Sequence, residues 1–339
     1  MAHEIESMFY VGQEPWHGLG TKVLEAPTAQ EAIILAKLDW NVELCDMFIK
    51  SEYNEPILVP DKVAVVRDSD KSILGTVGKR YTPFQPNECF SIADAIVEQQ
   101  EGAHYNTAGS LMKGKKIWML VELSQTPMQI TKKDEVAKYL LLSNSYDGSS
   151  SLQIMLTPIR VVCWNTLSAA VSGADSIVSI RHTHSMHQRV EDAKKTLGLA
   201  AKYFTDFEAQ SKYLASKQVT DKLLNTYFFT LFPDEDENGQ VVFATTPEEK
   251  EKVKHNRIQQ RAELRTIHDS SPSIVDVGAR GTLWGAYNAV TQWTDHYQGT
   301  RGSNNVSESR LHRQWFGVSR TLKQEAWDKA LQFADLKVA

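Results

Sequence analysis

Residues 139–163 read YLLLSNSYDGSSSLQIMLTPIRVVC, and this stretch decides the fold. Two apolar runs flank the pair Asp147-Gly148, which is typical of a tight turn because glycine adopts a positive φ at no steric cost. Beyond the turn, apolar and polar residues alternate over 152–157, as they do in a strand with one face against a core. The stretch therefore predicts two strands joined by a turn, and a short helix is expected to follow over 165–170.

Units of the same kind come before this central hairpin. Strand patterns separated by turn residues cover 62–81 and 105–123, and a helix with one apolar face is expected to begin at Pro86. One more strand is predicted over 175–183. Residues 1–185 are therefore predicted to form an α+β domain, with an antiparallel or mixed sheet built of hairpin-helix units.

The apolar spacing becomes helical from residue 186 onward, so residues 186–339 are predicted to form a helical C-terminal region. Its expected helices cover 190–216, 220–232, 246–268, 278–296 and 307–333. At the other end of the chain, residues 1–27 contain several Gly and Pro residues and are expected to be irregular.

The composition is that of a globular protein with a sizeable core. The chain has 339 residues, of which 42% are hydrophobic and 23% are charged, and its net charge is -5. Residues 1–185 contain 16 basic and 22 acidic side chains, whereas residues 186–339 contain 21 and 20. Neither part is basic enough to bind nucleic acid through its total charge, so any such site must be a local cluster.

The cysteines and the apolar runs predict the compartment. Cys45, Cys89 and Cys163 lie in apolar runs without the spacing of a zinc site, and we expect buried thiols in a reducing environment. The first residues lack the apolar core of a signal peptide, and no run approaches the roughly 20 apolar residues of a membrane span. These features predict a cytoplasmic protein with no membrane partner.

Six motifs occur in order along the chain: PWHGLG, VGKRYTPFQPNE, NTAGSLMKGKKIW, the central hairpin, IRHT and GTLWGAYNAVTQW. In these motifs the chain resembles the phage/plasmid-like proteins, a bacterial and phage family grouped as a domain of unknown function. The resemblance covers nearly the whole chain. It implies a place in phages or other mobile elements of bacterial cells, among genes for DNA maintenance, recombination or anti-restriction, and it supplies no catalytic residues.

Single-strand binding combines cations that follow the phosphates with flat rings that stack on the bases. Residues of these types lie at predicted strand ends and turns: Arg80, Tyr81, Lys115, Lys116, Trp118, Arg160 and Arg181. Because alternate strand ends of consecutive hairpins meet at one edge of a sheet, we expect some of these side chains to form one stripe. The hairpin-helix units are also similar in architecture to the strand-strand-strand-helix core of single-strand annealing proteins.

The prediction is therefore a non-catalytic accessory protein of DNA metabolism in a phage or mobile element. It is expected to bind single-stranded DNA in recombination or maintenance and to work as a homo-oligomer. The alternative reading of the same residues is that the hairpin tips are merely solvated and the tryptophans belong to the core.

Two other functions remain open from the sequence. A metal-dependent enzyme would have its site near His182, His184 and Asp175, because neutral imidazole is a common metal ligand. An inhibitor that binds a host defence protein is the other alternative, which the negative net charge by itself favours. The sequence contains no phosphate-binding loop, dinucleotide fingerprint or metalloprotease motif, so no cofactor, metal ligand or catalytic residue is predicted.

Overall fold

The structure is a computed structural model that describes residues 5–12, 20–50, 52, 55–98, 100–160, 177–196, 200–236, 239–241, 244–298 and 318–335. By its internal contacts the chain divides into two compact units. We call the first the sheet unit, which comprises residues 1–126, 138–157 and 174–201. The second is the helical unit, which comprises residues 127–137, 158–173 and 202–339. This division differs from the predicted boundary at residue 185, because residues 127–137 and 158–173 belong to the helical unit and residues 186–201 belong to the sheet unit.

Eleven strands lie in the described part of the chain: β1 Ile5–Val11, β2 Thr21–Val23, β3 Val42–Lys50, β4 Pro56–Arg67, β5 Ile73–Gly78, β6 His104–Leu111, β7 Lys116–Glu122, β8 Met128–Thr131, β9 Asp134–Ser145, β10 Leu152–Arg160 and β11 Ile177–Ile180. The main sheet has the order β11-β10-β9-β7-β6-β1-β2, and β8 pairs with the first residues of β9. A second, three-stranded sheet has the order β3-β4-β5.

The centre of the main sheet is buried on both faces. β7 pairs antiparallel with β6 on one side and with β9 on the other, and its residues from Lys116 to Val121 are all buried. A strand covered on both faces reads as a near-continuous apolar run, which is the pattern of β7 in the sequence. The central hairpin of β9 and β10 is confirmed, and Gly148 in its turn has a φ of 75°.

Three helices of the sheet unit contact the main sheet. Of these, α1 Ala29–Leu35 contacts β6, and α2 Pro86–Val97 contacts β7. The α1 helix begins with a capping box, in which the Glu31 backbone N–H donates to the Thr28 hydroxyl at 3.3 Å and the Glu31 carboxylate accepts from the Thr28 backbone at 2.9 Å. A third helix, α3 Met186–Thr196, contacts β11 and α2.

The N-terminal prediction was wrong, because residues 5–11 are the strand β1 and lie between β6 and β2 in the main sheet. Residues Ser7 to Tyr10 of this strand are all buried. A strand with both faces buried shows no alternation of apolar and polar residues, so its period was absent from the sequence.

The helical unit contains α4 Ala200–Ser216, α5 Asp221–Leu231, α6 Pro247–Ser270, α7 Pro272–Val275, α8 Leu283–Gln292, a π-helical turn at Trp293–Tyr297, and α9 Val318–Asp335. Its core is aromatic. The ring of Trp327 stacks on Phe207 with centroids 5.2 Å apart and meets Tyr287 edge-on at 5.1 Å. The α+β class with a helical C-terminal region is thus confirmed, whereas the helix predicted over 165–170 lies outside the described residues.

Candidate functional site

Four strand ends meet at one edge of the main sheet. Lys116 at the start of β7 is paired with Ser145 at the end of β9, and Leu152 at the start of β10 is paired with Ile180 at the end of β11. Because all of these strands run antiparallel to their neighbours, the turns that follow or precede these residues lie at the same edge.

The loop after β5 also joins this edge through one side-chain and one backbone hydrogen bond. The Tyr81 hydroxyl donates to the Ser145 carbonyl at 2.9 Å, and the Thr82 N–H donates to the His182 carbonyl at 3.2 Å. The Tyr146 N–H donates to the Lys115 carbonyl at 2.8 Å. We call the four segments that these bonds connect, residues 78–82, 113–116, 145–151 and 181–184, the turn edge.

Two glycines allow β5 to approach the central turn so closely. A Cβ on Gly75 would lie 2.4 Å from Asp147 Cα and 2.7 Å from the Tyr146 carbonyl oxygen, so only glycine fits there. Gly148 has a positive φ of 75°, and a Cβ at this position would lie 3.2 Å from a methyl group of Val77. The turn and the strand are therefore in direct backbone contact.

Buried polar side chains at the end of β9 hold the neighbouring loop in place. Ser143, Asn144 and Ser145 are each 0% exposed. The Asn144 amide donates to the Phe84 carbonyl at 3.0 Å, and the Tyr146 hydroxyl donates to the same oxygen at 2.9 Å. A buried polar group is stable only when it is hydrogen-bonded, so these bonds tie the loop before α2 to the core strand. The run SNSY was the sequence signal for this arrangement.

His182 stacks on Tyr81, with ring centroids 4.6 Å apart and planes inclined by 21°. Its Nδ1 lies 3.1 Å from the Thr82 carbonyl oxygen, which can only accept, so Nδ1 carries the proton and Nε2 has the lone pair. Nε2 is buried and has no hydrogen-bond partner in the described part of the chain. Burial lowers the pKa of His182, although the Thr82 carbonyl acts in the opposite direction. His182 is therefore a neutral ring rather than a cation.

Three of the predicted cations lie on the turn edge. Arg80 and Arg181 are exposed, and Lys115 is half-buried. Within the residues that the structure describes, none of the three forms an ion pair. The ring of Tyr81 is half-buried beside them, and burial raises the pKa of its hydroxyl well above the ordinary range.

Two other predicted contacts, Trp118 and Lys116, need correction, and a third, Arg160, has no described side chain. Trp118 is 0% exposed, so its ring belongs to the core and offers no face to a base. Lys116 is 3% exposed, and burial lowers the pKa of its ammonium group while Asp147 raises it. Arg160 ends β10 at the opposite end from Leu152 and falls in the helical unit, and its side chain lies outside the described residues. A position near a strand end does not specify the direction of the side chain, which packing decides.

A metal site and a reactive cysteine are both less well supported at this edge than a cluster of cations. Within the described ranges, no group of three or more His, Cys, Asp or Glu side chains could hold a metal ion. His184 is exposed, and Asp175 and Cys163 lie outside the described residues. Burial raises the pKa of the Cys89 thiol well above its ordinary value, so this cysteine is protonated and unreactive.

Comparison with known proteins places the chain in a family. The model of the family described as Domain of unknown function (DUF932) matches residues 73–315, which is more than two thirds of the chain. The chain belongs to the DUF932 family. The predicted membership of a family of unknown function is thereby confirmed. All four segments of the turn edge fall inside the DUF932 match, whereas β3 and β4 precede it.

No curated protein and no solved structure matches the chain. Among the helices that the structure describes, none is long and apolar enough to cross a membrane.

Proposed function

We propose that this DUF932 protein binds single-stranded DNA along the turn edge. In this proposal it is a non-catalytic accessory protein for recombination or maintenance in a phage or other mobile element. One observation carries the proposal. Arg80, Lys115 and Arg181 are far apart in sequence, yet they lie on segments joined by hydrogen bonds and form no ion pair among the described residues.

Cations without a protein partner are available to phosphates. The net charge of -5 does not prevent this, because salt screens charges beyond roughly 8–10 Å and a local cluster keeps its own potential. Asp147 lies in the central turn and works against an anion, so we place no phosphate at that turn. The phosphates are placed on Arg80, Lys115 and Arg181. Binding is therefore expected to be moderate and sensitive to salt.

The aromatic pair at the turn edge favours a single strand over a duplex. Tyr81 and His182 are both partly exposed, and unpaired bases can turn toward such rings, whereas bases in a duplex cannot. Stacking of one base on an aromatic side chain contributes about 1–3 kcal/mol. The neutral state of His182 suits this role, since stacking does not require a charge.

The test is fluorescence anisotropy of the purified full chain with a labelled single-stranded oligonucleotide and with its duplex. We expect tighter binding of the single strand. Arg80→Glu, Lys115→Glu and Arg181→Glu should each weaken it several-fold at low salt. Lys116 is left unchanged, because a substitution at a buried position would also disturb the fold.

The matched control is Lys22→Glu, which makes the same charge change on an exposed residue of β2, outside the turn edge. Its affinity should equal that of the wild type. If the wild-type protein binds no oligonucleotide at low salt, the proposal is wrong, and a host defence protein becomes the preferred partner.

A further inference from the structure

The strand β3 leaves an open edge on the three-stranded sheet. The outward N–H of Val42 donates to Gln85 Oε1 at 2.8 Å, and the Val42 carbonyl accepts from Gln85 Nε2 at 3.1 Å. The Gln85 side chain therefore occupies the outward backbone groups at the beginning of this edge. Backbone groups alternate in direction along a strand, so those of Leu44 and Asp46 point the same way as those of Val42. Within the described ranges, no strand pairs with β3 on this side.

The outer half of the β3–β4 hairpin has apolar side chains on both faces. Phe48 is paired with Leu58 and Ile49 with Ile57, and these successive pairs point to opposite faces. The four residues are 59%, 44%, 57% and 50% exposed in that order. Edge strands of monomeric proteins are usually protected by charges, by proline or by a covering element. Apolar residues on both faces of an open edge instead favour association with another chain.

The charges on β3 are arranged to complement a second copy of the same strand. Asp46 and Lys50 lie two residues before and two residues after Phe48, so all three share one face. The irregular pairing nearby concerns β4, where residues 59–62 lie opposite Met47 alone, so the alternation of β3 is kept. Asp46 and Lys50 form no ion pair among the described residues.

We infer that β3 is a self-association surface, at which two copies of the chain pair antiparallel about a two-fold axis through Phe48. This axis is perpendicular to the sheet, and it sets Asp46 of each copy opposite Lys50 of the other. It also sets Phe48 opposite Phe48 on the same face. An axis through Asp46 or through Lys50 would set like charges against each other, so the register at Phe48 is favoured.

This pairing joins two three-stranded sheets into one sheet of six strands across the dimer. The backbone groups of the open edge become hydrogen-bonded, and the apolar side chains of the two hairpins come together. The surface involves neither the turn edge nor the region matched by the DUF932 family, which begins at residue 73.

The test is sedimentation equilibrium of the full chain over a range of concentrations. The wild type should form a dimer whose population rises with concentration. Asp46→Lys places Lys against Lys in both pairs, and Lys50→Asp places Asp against Asp, so each should raise the dimer dissociation constant at least tenfold. The double variant Asp46→Lys/Lys50→Asp should return to the wild-type value, because every pair is again opposite in charge.

A mixture gives the sharpest result. The two single variants should each be monomeric at a concentration where the wild type is dimeric, and their equimolar mixture should form a mixed dimer. Lys132→Asp, on an exposed turn residue outside the hairpin, is the control for the charge change and should dimerise normally.

Circular dichroism and the melting temperature should show that all variants are folded. A wild type that stays monomeric at every concentration would overturn the inference. A dimer that is indifferent to both single variants, or a double variant that fails to recover, would overturn it as well.

Discussion

Cations in the helical unit and cations at the turn edge of the sheet unit differ in whether they form ion pairs. In the helical unit, Lys323 and Asp295 form a fully buried ion pair at 2.5 Å. On its surface, Arg261 is paired with Asp234 at 2.8 Å, and Arg265 with Asp221 at 2.6 Å. In the sheet unit, the three cations of the turn edge have no such partner among the described residues.

This difference shows why the charge of a segment is a poor guide to its partners. Residues 1–185 are the more acidic part of the sequence, with 22 acidic and 16 basic side chains. The turn edge, whose three cations have no ion-pair partner among the described residues, nevertheless lies in that part. What decides availability is whether a cation is already paired, and pairing depends on tertiary contacts rather than on composition.

The buried polar groups near the turn edge and in the helical unit also differ, because the former are neutral and the latter include charges. At the end of β9 and in the residue that follows it, Asn144 and Tyr146 donate to a backbone carbonyl, so neutral groups hold a loop in place. In the helical unit, Trp284 donates to the buried carboxylate of Asp134 at 2.7 Å, and Lys323 donates to that of Asp295. Buried charges are costly to leave without a partner, so we expect the largest losses of stability in the helical unit.

The strongest test of this contrast is Lys323→Ala. It leaves the Asp295 carboxylate buried without its ammonium partner and should lower the free energy of unfolding by about 3–5 kcal/mol, measured by urea denaturation. The control is Lys329→Ala on the same helix, which should change the free energy of unfolding by less than about 0.5 kcal/mol. The double variant Lys323→Met/Asp295→Leu should lose less free energy of unfolding than Lys323→Ala. A larger loss in the double variant would contradict the account of the buried pair.

The next largest loss of stability is expected from Gly75→Ala in the sheet unit. The added methyl group would overlap the backbone of Asp147, and the strain should cost about 1–3 kcal/mol and weaken oligonucleotide binding. Gly78→Ala is a close control in the same strand, because its nearest neighbour would be 3.9 Å from the new methyl group. Equal melting temperatures for the two variants would show that the contact between β5 and the central turn is not tight.

The smallest effect concerns pH and compares one histidine from each unit. Burial lowers the pKa of both His182 and His268, so the unfolded chain takes up their protons first as the pH falls. Stability should be fully present above about pH 6.5 and should decrease as the pH falls from there toward the lower pKa of the folded state.

Replacing either histidine by glutamine should flatten this decrease, as measured by urea denaturation between about pH 7 and pH 5. For His268, protonation also removes the hydrogen bond that its Nε2 accepts from the Gly281 N–H at 3.1 Å, whereas Asp269 favours the protonated ring. His182 Nε2 has no such partner among the described residues. An unchanged pH profile in both variants would contradict the lowered pKa values.

Local signals in the sequence were sufficient for much of the fold. The turn at Gly148 and the start of a helix at Pro86 were predicted from a few neighbouring residues, and both are present. The strand β1 was missed because burial on both faces removes the alternation that marks a strand.

The candidate site was predictable only in part. Lys115 and Arg181 share an edge because antiparallel hairpins bring alternate strand ends together, which the order of strands already implies. The bonds from Tyr81 to Ser145 and from Thr82 to His182 are tertiary contacts with no local pattern. The burial of Trp118 likewise depends on the cover over both faces of β7, and residue type alone does not reveal it.

The central claim is that Arg80, Lys115 and Arg181 of the turn edge bind the phosphates of a single strand. The most direct measurement is the salt dependence of oligonucleotide affinity for the wild type and for the triple variant Arg80→Gln/Lys115→Gln/Arg181→Gln. Three phosphate contacts predict a slope of log K against log salt of about -2 for the wild type, and the triple variant should bring it close to zero while the melting temperature is unchanged. A wild-type slope near zero, or the same slope in both proteins, would contradict the claim.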